Sequence, residues 1–290
     1  PVMPAIDYIQ EVPEIDGTLD EDLKSLHIRR LQKKIDLFLF KKSPKPDYRI
    51  AYNADYLYLY IEAGADSLIC RDRGYQNGDG FILLLADGSS GEKFTNKYYV
   101  FGFSSQVIEE QRWAEKIIWY KDNNTELQKL PDDVRIGYAA HGGTISFEVL
   151  IPWYTVHPFH PWKEMVIGTN LWFIKAVEGR SLPIISAMFW DIRLPSESDG
   201  RKYKALEFEK PDLKDVKSYW MPERNNYSEK DTLKVNFFSP LAISSIDSAV
   251  VRITDKDEKQ LFYHRGSLRI NNRTRTGHIQ FQLPEINPGT

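Results

Sequence analysis

Between Tyr56 and Ala63 the chain changes character at every residue, with Leu57, Leu59, Ile61 and Ala63 alternating with Tyr56, Tyr58, Tyr60 and Glu62. A period of two puts the aliphatic set on one face of a strand and the tyrosines on the other. Just upstream, Tyr48, Ile50 and Tyr52 alternate with Arg49 and Ala51, and Asn53-Ala54-Asp55 supplies a turn. These residues therefore predict a hairpin whose apolar face is packed and whose tyrosine face is outward. A polar loop, residues 66–79, then leads to Phe81-Ile82-Leu83-Leu84-Leu85-Ala86, which is apolar on both faces. Such a run predicts a central strand covered on both sides.

The same grammar continues downstream. Further strands are predicted over residues 98–103, 116–120, 134–140, 144–151, 166–177, 187–191 and 204–208. His141-Gly142-Gly143 marks the clearest hairpin, because glycine supplies the positive φ its turn demands. Ile145, Phe147, Val149 and Ile151 face inward, leaving Glu148 outward, and Pro152 ends the strand. Residues 21–34 read as a short helix or turn, and residues 35–40 as a strand. The fold class is all-β, an antiparallel β-sandwich over residues 1–210.

Residues 211–230 are polar and read as a linker, within a proline-containing stretch that starts at Glu209. A small second β unit follows over 231–290, with strands at 232–238, 249–254, 260–264 and 278–283 and a turn at Asp255-Lys256-Asp257. The expectation is an immunoglobulin-like domain cut short before its closing strand.

Composition narrows the function classes. Apolar residues make up 42% and charged residues 27%, which suits a folded core. A net charge of -3 argues against a nucleic-acid binder, which presents a basic face. The single cysteine, Cys70, excludes an intrachain disulfide and a cysteine-based zinc site. No apolar run approaches the roughly 20 residues a membrane-spanning helix needs. No Walker, Rossmann, G-x-S-x-G or H-E-x-x-H signature occurs.

Four landmarks in order carry a resemblance: Ile15-Asp16-Gly17-Thr18-Leu19-Asp20-Glu21, Asn53-Ala54-Asp55-Tyr56-Leu57-Tyr58, Gly78-Asp79-Gly80-Phe81, and Phe147-Glu148-Val149-Leu150-Ile151-Pro152-Trp153. Together they resemble the family-9 carbohydrate-binding modules and their DOMON-like relatives, over about the first 210 residues. The resemblance implies a jelly-roll or DOMON-type sandwich that binds sugar without catalysis. It also implies an accessory domain of an exported bacterial protein, secreted, periplasmic or on the cell surface, with calcium in some members.

In such modules two aromatic rings clamp the sugar. The late ring matches Trp190, in Phe189-Trp190-Asp191, while the early one falls at Gln76, beside Tyr75. The family's acidic sugar contact falls at Ile82. The sugar-binding candidates are thus Trp190, Tyr75, Arg73 and Asp191, with stacking on a pyranose face as the affinity source. Asp66, Asp72 and Asp79 are the candidate oxygen ligands for calcium. Carbohydrate is the expected partner, alongside other domains of a longer parent protein. The rival readings are a structural or protein-interaction sandwich that has lost the sugar site, favoured by Gln76 and Ile82, and a haem-binding DOMON-like domain using Met165, Met188 and histidines. His157 and His160, in a proline-flanked HPFHP segment, read as a surface loop. Glu109, Glu110 and Glu148 are the carboxylates weighed as an acid/base pair, and a solvated role is preferred for them.

Overall fold

The computed structural model describes residues 4–35, 44–71, 77–87, 98–108, 111–121, 128–157, 159–188, 203–211, 218–223, 228, 230–239, 248–254, 259–271, 273 and 275–283. It separates into two compact units, one of Pro1–Val156 with Glu164–Lys210 and the other of His157–Lys163 with Pro211–Thr290.

The first unit contains β1 (Ala5–Tyr8), β2 (Arg29–Arg30), β3 (Lys33–Ile35), β4 (Asp47–Tyr52), β5 (Tyr56–Gly64), β6 (Gly80–Asp87), β7 (Tyr98–Ile108) and β8 (Gln111–Lys121). It continues with β9 (Gln128–Lys129), β10 (Arg135–His141), β11 (Thr144–Pro152), β12 (Val166–Lys175), β13 (Ile184–Ala187) and β14 (Lys204–Phe208). Their pairing follows the path β10-β11-β5-β4-β1-β14-β12-β6-β7-β8-β9. β1 is the seam of the sandwich. Ala5 and Ile6 pair with β14, then Asp7 and Tyr8 pair with β4, so one short strand belongs to both sheets. Both pairings are parallel, an exception to the antiparallel pattern. Four residues are too few for a period, which is why β1 left no sequence signal.

The two sheets meet through aromatic rings. Phe147 of β11 lies 5.9 Å from Phe81 of β6 and 6.5 Å from Phe173 of β12, centroid to centroid, and each pair is T-shaped. Phe81 and Phe103 stack at 4.9 Å. Edge-to-face and offset contacts of this kind add to the burial energy of the rings themselves. The reverse side of the second sheet is also covered, with Ile82, Leu84, Ala86, Val100, Trp172 and Ile174 forming a buried cluster. β6 is therefore enclosed on both faces, as its unbroken apolar run predicts. Gly142 and Gly143, at φ +61° and +76°, make the hairpin turn between β10 and β11.

The tyrosine face of β5 departs from expectation. It is not outward: Tyr58 is fully buried and Tyr60 is 5% exposed, packed with Ile9, Leu23, Leu26, Ala51 and Leu150. The segment carrying Ile15-Asp16-Gly17, followed by a 3-10 turn at Glu21–Ser25, supplies that cover. Strand alternation reports the two faces of a sheet but not what a distant segment lays over them.

The second unit contains β15 (Tyr219–Pro222), β16 (Thr232–Phe238), β17 (Ser248–Thr254), β18 (Gln260–Ser267), β19 (Arg269–Asn271) and β20 (Thr276–Gln282). Four of them form a sheet in the order β15-β16-β20-β19, while β17 and β18 pair as a hairpin. Phe237, Leu268 and Ile279 form its core, with Val235, Ala249, Val251 and Ile270 packed against them. β15 lies inside the segment expected to be a linker. The HPFHP segment is not a surface loop either, since His160 is fully buried and His157 is 9% exposed. His160 stacks on Tyr219 at 3.9 Å, and its Nδ1 accepts the Trp162 backbone N–H at 3.1 Å. His157 Nε2 donates to the Pro222 carbonyl at 2.7 Å. Flanking prolines deny the pair a helix, but aromatic stacking gives the segment a reason to pack.

Candidate functional site

The candidate binding edge begins where β5 ends at Gly64 and runs to Gly80, where β6 starts. Asp79 is its foot and is fully buried. One carboxylate oxygen, Oδ1, accepts the Ala176 backbone N–H at 2.7 Å. The other, Oδ2, accepts the Ile69 N–H and the Lys175 ammonium, both at 2.7 Å. Asp79 returns its own N–H to the Ile69 carbonyl at 2.9 Å. Lys175 also donates to the Ser67 carbonyl at 3.0 Å, and Arg71 donates to the carbonyls of Asn77 and Val177. Burial raises the Asp79 pKa, opposed by Lys175 and the two backbone donors. A carboxylate, an ammonium and a guanidinium thus close the loop's base in low dielectric, where charge-assisted hydrogen bonds are strongest.

The sequence candidates fall unevenly on this geometry. Asp66 is exposed at the head of the loop, whereas Asp79 is sealed at its foot. Arg73, Tyr75 and Asp72 lie outside the described residues, as do Trp190 and Asp191, and so do Glu109 and Glu110. The described residues do not bring the sugar candidates together. They define what holds the ends of the loop that carries Arg73 and Tyr75. Lys175 and Arg71, the two cations at the loop's foot, had no motif to announce them; a buried aspartate beside a turn glycine was their only trace.

Of the candidate calcium ligands, Asp79 is held in an internal ion pair with Lys175. Both oxygens of Asp79 are already taken by donors, one of them an ammonium. Among the described residues, no group of three or more His, Cys, Asp or Glu side chains converges to hold a metal ion. At the position matching the family's acidic sugar contact, Ile82 is 3% exposed within the apolar cluster behind β6.

Glu148 is a correction. Its strand position predicts an outward, solvated carboxylate, yet it is fully buried. It accepts the Tyr58 hydroxyl at 2.6 Å, the Gly17 N–H at 3.1 Å and the Asp16 N–H at 3.2 Å. Burial pushes its pKa up to about 7, against the three donors that favour the charged form. Ser146 Oγ adds a bond to the Gly17 carbonyl at 2.6 Å. Gly17 sits at φ +91°, and a Cβ there would lie 2.4 Å from the Tyr138 backbone. Only glycine fits so close a crossing. Glu148 therefore clasps the N-terminal cover to the sheet.

The remaining landmark serves the same purpose. Asn53 Oδ1 accepts the N–H groups of Asp55 and Tyr56, while its carbonyl accepts the Trp153 indole N–H at 2.9 Å. All four motifs are thus polar fasteners of the sandwich: the first pairs with Glu148 of the fourth, the second with Trp153 of the fourth, and the third closes the loop.

No family model matches the chain, and no curated protein does either. Among solved structures, a family-9 carbohydrate-binding module from Caldicellulosiruptor kristjanssonii in complex with cellotriose matches at TM-score 0.51 and 12% identity. That match covers 74% of this chain and 97% of the module. The glucose complex from the same organism gives TM-score 0.49 at 12% identity, covering 71% of this chain and 94% of that one. A candidate carbohydrate-binding protein from Bacteroides uniformis gives TM-score 0.48 at 12% identity, covering 71% and 98%. Over about three-quarters of its length the chain has the β-sandwich fold of the family-9 carbohydrate-binding modules.

Proposed function

We propose that this chain is a non-catalytic carbohydrate-binding protein whose first unit takes a sugar at the edge formed by the loop of residues 66–79 and the Trp190 region. The observation that carries this is the fold match to a module solved with cellotriose, spanning 97% of that module. Fold alone does not assign a ligand, so the residues argue the rest. Trp190 is the stacking platform, Tyr75 the second wall, and Arg73 and Asp191 the polar contacts at the sugar's rim. The buried Asp79–Lys175 pair ties down the base of the segment whose sequence includes Arg73 and Tyr75.

Affinity on this reading comes from ring stacking and a few hydrogen bonds, with no covalent step. The same likeness supports an exported location. No helix among the described residues is long and apolar enough to cross a membrane. Titration of the whole chain with cello-oligosaccharides, beside Trp190→Ala, tests the assignment. Binding that is weakened tenfold or more by the substitution supports it. Calcium is tested separately: with Asp79 committed to Lys175, EDTA is expected to leave the melting temperature unchanged.

A further inference from the structure

The second unit has a polar sheet face that neither its own core nor the sugar-binding proposal uses. Along β16, Leu233, Val235 and Phe237 alternate with Lys234, Asn236 and Phe238, and along β20, Gly277, Ile279 and Phe281 alternate with Thr276, His278 and Gln280. Phe237 and Ile279 point into the core, so the alternate residues occupy the opposite face. On that face register aligns side chains from four strands. Met221 pairs with Asn236, Asn236 with His278, and His278 with Arg269.

This row borders a cavity of about 760 Å³, to which Trp162 and Lys163 of the HPFHPWK segment also contribute. That volume falls within the roughly 300–1,000 Å³ of small-molecule sites. Its lining combines three chemistries: a half-buried indole, the amides of Asn236 and Asn271, and the fixed positive charges of Lys163 and Arg269. The one carboxylate in the lining, Glu223, is engaged by the Lys234 ammonium at 2.8 Å. The balance of charge is positive in a chain whose net charge is -3.

We propose that the second unit carries its own binding site for an acidic saccharide, a sugar ring bearing a carboxylate. Trp162 meets the apolar C–H face of the ring, Asn236 and Asn271 bind its hydroxyls, and Arg269 with Lys163 receives the carboxylate. A guanidinium presents paired N–H donors that match a carboxylate's two oxygens, while an indole accepts a sugar's flat apolar face. The site lies wholly in the second unit and does not depend on the first unit's sugar edge.

The test is calorimetric titration of the whole chain with galacturonic acid and with its methyl ester, which keeps the ring and removes the charge. The acid is expected to bind at least tenfold more tightly than the ester, and the preference to shrink as salt rises. Equal binding of acid and ester, or no binding of either, overturns the proposal. Inorganic phosphate displacing the acid at equal concentration would also overturn it, because the site would then read charge without the ring. Arg269 is exposed, so Arg269→Ala is expected to fold normally and to weaken the acid at least tenfold. Trp162→Ala should weaken acid and ester alike. Trp190→Ala should leave uronate binding unchanged, which separates failure here from failure of the first unit's site.

Discussion

Two sheet faces in this molecule are written in the same alternating grammar and end in opposite states. On β5 the polar-tipped face is sealed: Tyr58 is buried and its hydroxyl is spent on Glu148. On β16 and β20 the polar face stays open, with Asn236 half-buried and His278 beside a cavity. The difference lies in distant segments. Residues around Ile15–Leu26 close the first face and bring backbone N–H groups to satisfy Glu148, whereas the HPFHPWK segment meets the second and leaves room beside it. A sealed polar group is stable only when each hydrogen bond is made. An open one is free to bind. Between these two faces, stability should therefore concentrate on the sealed one, and ligand sensitivity on the open one.

The largest effect is expected at Asp79, a second fully buried carboxylate of the first unit. Asp79→Ala strands the Lys175 ammonium and two backbone donors, and should cost about 4 kcal/mol in urea unfolding of the first unit's transition. Glu148→Ala should cost about 3 kcal/mol, because it removes the acceptor of Tyr58, Asp16 and Gly17 together. A pH series sharpens this. The Glu148 pKa is raised by burial to about 7 from an unfolded value near 4.5. Between those values the native state holds a proton that the unfolded state has lost. The stability contributed by the protonated group is thus complete below about pH 4.5 and falls by about 3 kcal/mol as pH rises to about 7. Glu148→Gln should flatten that slope. Tyr58→Phe, which removes one donor, should cost about 1 kcal/mol. At the bottom of the scale, Arg269→Ala on the open face should change unfolding by no more than about 0.5 kcal/mol. A loss at Arg269 as large as that at Glu148 would erase the distinction between the two faces.

Much of the fold is legible in the alternation. Residues 56–63, 144–151 and 232–238 coincide closely with β5, β11 and β16, because period-two burial is a local property that a strand records in its own sequence. The parallel seam strand β1 and strand β15 escaped because four residues carry no period. The sealing of Tyr58 and Glu148 escaped for another reason: their cover comes from the N-terminal segment, outside either strand and about 130 residues from Glu148, as the Glu148–Gly17 bond shows. Of the candidate site, Asp79 was visible as a motif residue but not as half of an ion pair, since nothing local to it announces Lys175. The prolines of the HPFHP segment argue for an exposed loop, while its stacking partners Tyr219 and Phe238 come from a later stretch.

The proposed function gives the first unit a sugar site that depends on the Trp190 side chain. Isothermal titration of the whole chain and of Trp190→Ala with cellotriose and a panel of neutral glycans tests it most directly. Saturable binding of at least one neutral glycan is expected, weakened tenfold or more in Trp190→Ala and unchanged in Arg269→Ala. A chain that binds no glycan, or a Trp190→Ala variant that binds as tightly as the unaltered chain, would contradict it.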